Sequence, residues 1–333
     1  MNRERPTLAE LRARVHKDRS DEIGNWLARR IGRPSAVPGT WLAIRLGLSA
    51  HQVTGLALGT AIMAAGAIGS GGRPGFIAGV VLAHLAFWLD HVDGQVARWR
   101  GSASLDGVYL DYLMHHASSM ALAFGAGYGL AARTGRLDYA LAGFAAAVGW
   151  ALLSLHNDCR YKAFFQRLKS SQASYRVHGG AGGRPAPPAS WPRRGWAALS
   201  WPAYKSCEPH MVLIELTGLG LLACLWPDGW MAAWSAWIIA HAVMAPILAA
   251  LRILRSIKRE SVETEFARWF RPIGFPASDW TVDTEPSITK VVPFATGDCD
   301  LIRSKLDQTP ARSIDDERTV RLPEPSPASA GWS

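Results

Sequence analysis

Asp90-His-Val-Asp-Gly-Gln-Val-Ala-Arg98 and, after a short break, Gly107-Val-Tyr-Leu-Asp-Tyr-Leu-Met-His115 place three carboxylates, an arginine and two histidines between and within apolar segments long enough to cross a bilayer. Charge in such surroundings is costly and marks a functional site. Asp90, Asp93, Gly94 and Ala97 are spaced i, i+3, i+4, i+7 and share one helix face, while Gly107, Asp111 and His115 recur every four residues on another. Two acidic faces can therefore converge. The small residues on them let two helices, or a helix and a ligand, approach closely. Gathered carboxylates repel one another unless a cation sits among them, and all-oxygen donor sets suit a hard ion such as Mg²⁺ or Mn²⁺ that also holds phosphate. The expected chemistry is metal-assisted work on a phosphate.

Around this stretch, the 333 residues have a mean hydropathy of only +0.03, an average of polar ends and a strongly apolar middle from about 51 to 251. Windows of membrane-spanning length recur there, at about 52–69, 76–90, 107–131, 139–156, 209–226 and 230–252. An all-α integral membrane fold is expected, with six transmembrane helices and both termini cytoplasmic. Of the 36 Lys and Arg, only Arg73, Arg133 and Arg136 then fall outside, as the positive-inside rule requires. The net charge of +9 thus reads as attraction to anionic membrane lipids at the cell membrane, with no nucleic-acid partner. Cys159, Cys207, Cys224 and Cys299 lack metal or redox spacing and read as reduced. The first 35 residues hold no apolar signal-peptide core.

Three regions follow. Residues 1–36 form a basic juxtamembrane segment, where Trp26, Leu27 and Ile31 could make a short interfacial face or a solvated helix. Residues 37–260 form the six-helix domain, interrupted by a flexible cytoplasmic loop at 163–207 rich in Gly and Pro. Residues 261–333 form a cytoplasmic tail, and from Thr309 onward its composition reads as disordered.

The core stretch resembles the CDP-alcohol phosphotransferase family, whose motif is D-x2-D-G-x2-A-R-x8-G-x3-D-x3-D. Asp90, Asp93, Gly94, Ala97, Arg98, Gly107 and Asp111 match seven of its eight fixed positions, and His115 stands where the last Asp belongs. Gln52-Val-Thr54 resembles the end of the family's Pro-Asn-Gln-Val-Thr segment, with Ala50 and His51 in the first two places. The resemblance implies transfer of a substituted phosphate from a CDP-linked donor, often CDP-diacylglycerol, to a hydroxyl acceptor, with release of CMP. It implies two divalent metals on Asp90, Asp93 and Asp111, room for the nucleotide and substrate at Gly94, Ala97, Arg98 and Gly107, and His115 at the place of the general base. Many members are dimers, so a homodimer is a further expectation.

His115 is the irregular position. It can serve as proton acceptor with or without metal contact, mark a member that has lost the usual chemistry, or hydrogen-bond Asp111 one turn earlier. An Asp-to-His change also removes one negative charge, which predicts weaker occupancy of the second metal site. Glu215 in the fifth span could recognise the acceptor or pair two helices. Arg160 and Lys162, like Lys205 and Arg252, lie at inner helix ends, where they could hold an acceptor phosphate or snorkel to the interface. His84 and His241 read as helix-pairing residues. Other readings are the same fold with a non-lipid donor, a CDP-lipid-binding pseudoenzyme, and a transporter with an Asp/His relay.

Overall fold

The computed structural model describes residues 6–15, 26–170, 175–177 and 196–272. The described residues are helical almost throughout: α1 (Leu8–Arg14), a π-helical turn (Ala28–Gly32) running into α2 (Arg33–Arg45), α3 (Ala50–Gly69), α4 (Arg73–Arg100), α5 (Leu105–Thr134), α6 (Leu137–Ser170), α7 (Trp196–Ser206), α8 (Pro209–Leu225), α9 (Trp230–Lys258) and α10 (Ser261–Trp269). Two short strands, β1 (Tyr175–Val177) and β2 (Phe270–Pro272), pair antiparallel. Among the described residues, four helices (α3, α4, α6 and α9) are long and apolar enough to cross a membrane, and the bent pair α7–α8 makes up to five. α5 is of similar length, but its first half carries Asp106, Asp111, His115 and His116. Helix α6 continues to Ser170 and α7 occupies 196–206, so the expected 163–207 loop is helical at both ends; Cys299 and the tail beyond 272 lie outside the described residues.

Local chemistry sets the helix ends. A reciprocal capping box starts α3: the Gln52 amide donates to Ser49 Oγ at 3.2 Å, and the Ser49 amide donates to Gln52 Oε1 at 2.8 Å. Gly101 closes α4 in the left-handed region at φ 65°, a conformation that favours glycine, and Ser104 then caps α5 by accepting from the Gly107 amide at 3.1 Å. The tight connection turns α4 back into α5 and brings the two acidic faces together.

Lipid gives apolar side chains no reason to leave it, so helix association in a bilayer depends on close contact. The interior is built accordingly. A Cβ at Gly125 of α5 would run into the Ala65 backbone of α3, and one at Gly127 would run into Gly143 of α6. Phe76 packs against Trp234 with ring centroids 4.6 Å apart, joining α4 to α9. At the other end of α4, Leu11, Val15, Ala36, Val37, Val92, Val96 and Trp99 form a second core that seats α1 and α2. Thr40 donates to Gln95 Oε1 at 2.7 Å, Gln95 Nε2 donates to the Arg33 carbonyl at 2.8 Å, and Trp88 Nε1 donates to the Ser35 carbonyl at 3.1 Å. These three bonds hold α2 along α4. Leu27 is buried while Trp26 and Ile31 are exposed, so the N-terminal face splits between packing and surroundings.

Gly125→Val should lower thermal stability in detergent by about 1–3 kcal/mol, because the added methyls meet backbone rather than a movable side chain. Gly59→Ala, with nothing within 4 Å of the new methyl, should be neutral or stabilising by about 0.4–1 kcal/mol. Paired thermal unfolding curves compare them.

Candidate metal centre

The two acidic faces meet at the C-terminal end of α4 and the N-terminal half of α5. His115 Nε2 lies 3.6 Å from Asp90 Oδ1 and 3.4 Å from Asp111 Oδ1. One donor atom from each of Asp90, Asp111 and His115 falls within 4.8 Å of the others. Asp90 Oδ1 is buried and receives no hydrogen bond, which leaves a carboxylate oxygen in need of a cation. Two oxygens and an imidazole nitrogen at such separations fit a divalent ion of the Mg²⁺ or Mn²⁺ type.

Asp93 stands one turn along α4, at 8% exposure the most secluded of the three aspartates. Its Oδ2 accepts from Thr54 Oγ1 at 2.7 Å, so the capped first turn of α3 delivers the hydroxyl that satisfies it. Asp93 is not in the three-residue donor group. The spacing predicted its face but not its partner.

Arg98 folds back along its helix: a Cβ at Gly94 would lie 3.3 Å from Arg98 Nη1, so this glycine makes room for the guanidinium. Arg98 Nε donates to the Val15 carbonyl at 3.3 Å, a positive charge at the C-terminal end of α1. The partner the structure gives Arg98 is this backbone carbonyl, which ties α1 to the site. At the N-terminus of α1, the Thr7 amide and hydroxyl hold the Glu10 carboxyl below its usual range. A Cβ at Gly107 would meet only Ser104 Oγ at 3.4 Å and His51 Nε2 at 3.6 Å, ordinary contacts, so packing alone does not demand glycine there. Ala97 is half-buried.

The other expected residues are not in the donor group. Glu215 belongs to a helix-pairing network: Trp150 Nε1 donates to His241 Nδ1 at 3.2 Å, which puts the ring hydrogen on Nε2, and Nε2 and Trp237 Nε1 both donate to Glu215 Oε2, at 2.9 and 2.8 Å. His84 likewise meets Thr217 at 2.7 Å, joining α4 to α8. Arg160 forms an ion pair with Glu265 of α10, Arg252 donates to Asn157 Oδ1 at 3.2 Å and lies over the Tyr204 ring, and Lys162 is exposed. Sequence reasoning missed three partners of the centre. Thr54 was noted only as part of a resemblance, His91 was passed over inside the motif, and the His116–Asp158 pair at 2.8 Å, linking α5 to α6 beside His115, left no trace in spacing.

No family model and no curated protein matches the sequence. Among solved structures, the chain is similar to the phosphatidylinositol phosphate synthase PgsA1 of Mycobacterium tuberculosis with CDP-DAG bound, at 23% identity and a TM-score of 0.43, over 67% of this chain and 92% of that one. It is similar to the same synthase in complex with manganese and citrate, at 21% identity and a TM-score of 0.44, over 67% of this chain and 88% of that one.

Thr54→Val keeps the shape of the side chain and removes the hydroxyl from Asp93. It should weaken Mn²⁺ binding by about 10- to 100-fold while leaving helical content unchanged, as equilibrium dialysis and circular dichroism would show.

Proposed function

We propose that the protein is an integral membrane CDP-alcohol phosphotransferase of phospholipid biosynthesis, which moves a substituted phosphate from a CDP-linked lipid, CDP-diacylglycerol, to the hydroxyl of a small alcohol or alcohol phosphate and releases CMP. The observation that carries this reading is the convergence of Asp90, Asp111 and His115, with Asp93 one turn away, from a motif that matches the family at seven of eight positions. Six crossings are assigned to α3, α4, α5, α6, α8 and α9, with both termini on the cytoplasmic face of the cell membrane. The donor group then lies at the cytoplasmic ends of its helices, where a lipid enters sideways and a polar acceptor from water.

Asp90, Asp111 and His115 would hold a divalent cation, with Asp93 beside them for a second. A bound Mg²⁺ or Mn²⁺ supplies positive charge against the diphosphate and the CMP leaving group. The protein's own groups do the rest. Gly94, Ala97 and Gly107 leave the faces low enough for the nucleotide to lie close, and Arg98 offers a fixed positive charge on the same helix. His115 turns Nε2 toward the carboxylates, so this one nitrogen either holds the cation or, off the metal, accepts a proton. The acceptor oxygen attacks the phosphorus bearing the lipid alcohol, the bridging bond to CMP breaks, and the hydroxyl proton passes to His115 Nε2 in the state in which that nitrogen is off the metal.

Purified protein incubated with CDP-diacylglycerol, Mg²⁺ or Mn²⁺ and a panel of alcohols and alcohol phosphates should release CMP, with radiolabel from the acceptor entering the organic phase. CMP formed only when a water-soluble CDP-alcohol replaces CDP-diacylglycerol would indicate a non-lipid donor, and folded, metal-binding protein that forms no CMP with any donor and acceptor would contradict the enzyme reading.

His115→Ala should lower the rate of CMP release by about 10²- to 10⁴-fold, with partial rescue by added imidazole. In the same assay His115→Asp should remain active and bind its second metal more tightly, since it restores a negative charge; unchanged metal affinity and stoichiometry would count against that role.

A further inference from the structure

The second residue of the motif, His91, is built into the same centre. Its Nδ1 lies 3.3 Å from Asp90 Oδ2, with both side chains largely buried. Successive residues on a helix point about 100° apart, so this contact exists only because both side chains are held toward each other.

The His91 ring is fixed from two further sides. It packs against Phe87 with centroids 4.6 Å apart, and Gly32 of the π-helical turn lies so close that any side chain there would enter the ring. His91 Nε2 is buried and has no hydrogen-bond partner among the described residues. A ring hydrogen on Nε2 would be an unpaired buried donor and would leave an Nδ1 lone pair facing a carboxylate; on Nδ1 it meets Asp90 Oδ2. The packing therefore selects the Nδ1–H tautomer.

We propose that His91 is a positioning residue that takes up Oδ2 of Asp90 and so presents Oδ1, the oxygen 3.6 Å from His115 Nε2, as the metal-facing atom. Left alone, the carboxylate could rotate about its last bond, and either oxygen could face the site. Gly32, Phe87 and His91 make one oxygen the only ligand. The N-terminal segment thereby reaches the centre through packing. This inference rests on the proposed metal site.

The test is Mn²⁺ binding to the full-length protein in detergent, followed by electron paramagnetic resonance of the free ion, with Asp90→Ala as the control that loses the site. His91→Phe keeps the ring and removes the N–H; it should bind Mn²⁺ about 10- to 100-fold more weakly. His91→Asn carries an amide N–H close to the position of Nδ1 and should stay near parental affinity, whereas His91→Gln, whose amide reaches instead toward Nε2, should be as weak as His91→Phe. Parental affinity in His91→Phe, or equal affinities in the Asn and Gln variants, would overturn the assignment. The Asn–Gln comparison decides even if His91→Phe does not fold. CMP release measured alongside separates the two readings. Parent protein that binds Mn²⁺ without releasing CMP contradicts the transferase and leaves His91 in place, while His91→Phe at parental affinity with active parent does the reverse.

Discussion

Three carboxylates at one end of an apolar bundle impose the constraint on which the rest of the structure depends. An ionised carboxylate away from water is costly unless it is paired, hydrogen-bonded or metal-bound. The chain answers the three differently. Asp93 accepts the Thr54 hydroxyl, Asp90 gives one oxygen to His91, and the remaining oxygens of Asp90 and Asp111 turn toward the imidazole of His115. A divalent cation would complete the set and offset the repulsion among the carboxylates.

The supporting packing is consistent with that need. Gly101 and Ser104 reverse the chain between α4 and α5, so that faces separate in sequence become neighbours. Gly125 and Gly127 draw α5 against α3 and α6 at backbone distance, fixing the height at which Asp111 and His115 meet α4. On the outer side, α1 and α2 are clamped to α4 by Gln95, Trp88 and Arg98, and the same seam brings Gly32 against the His91 ring. The polar end of α6 is tied in turn to α9 by Asn157 and Arg252 and to α10 by the Arg160–Glu265 pair.

Much of this was legible in the sequence because helical periodicity is local. The spacing from Asp90 to His115 implies two acidic helix faces separated by a turn, and apolar length marks the long helices. What was not legible depends on contacts across the chain. Thr54 reaches Asp93 across 39 positions and His116 reaches Asp158 across 42, and neither pairing has a period to betray it. Glu215, an acid within an apolar helix, reads from sequence as an acceptor contact or a helix-pairing group, and it is the long-range contacts that show it accepting two hydrogen bonds from α9. The length of α6 beyond 156 was hidden because the polar residues after His156 resemble a loop in composition, while their tertiary partners, Arg252, Glu265 and Glu263, keep them helical.

Asp90, Asp111 and His115 would form one divalent-cation site serving a diphosphate donor. The most direct measurement is Mn²⁺ binding by the parent protein and by Asp111→Asn, each with and without CDP-diacylglycerol. Saturable binding that tightens with the donor and is lost in Asp111→Asn is the predicted result. Binding that is absent in the parent, or unchanged by the substitution and by the donor, would contradict it.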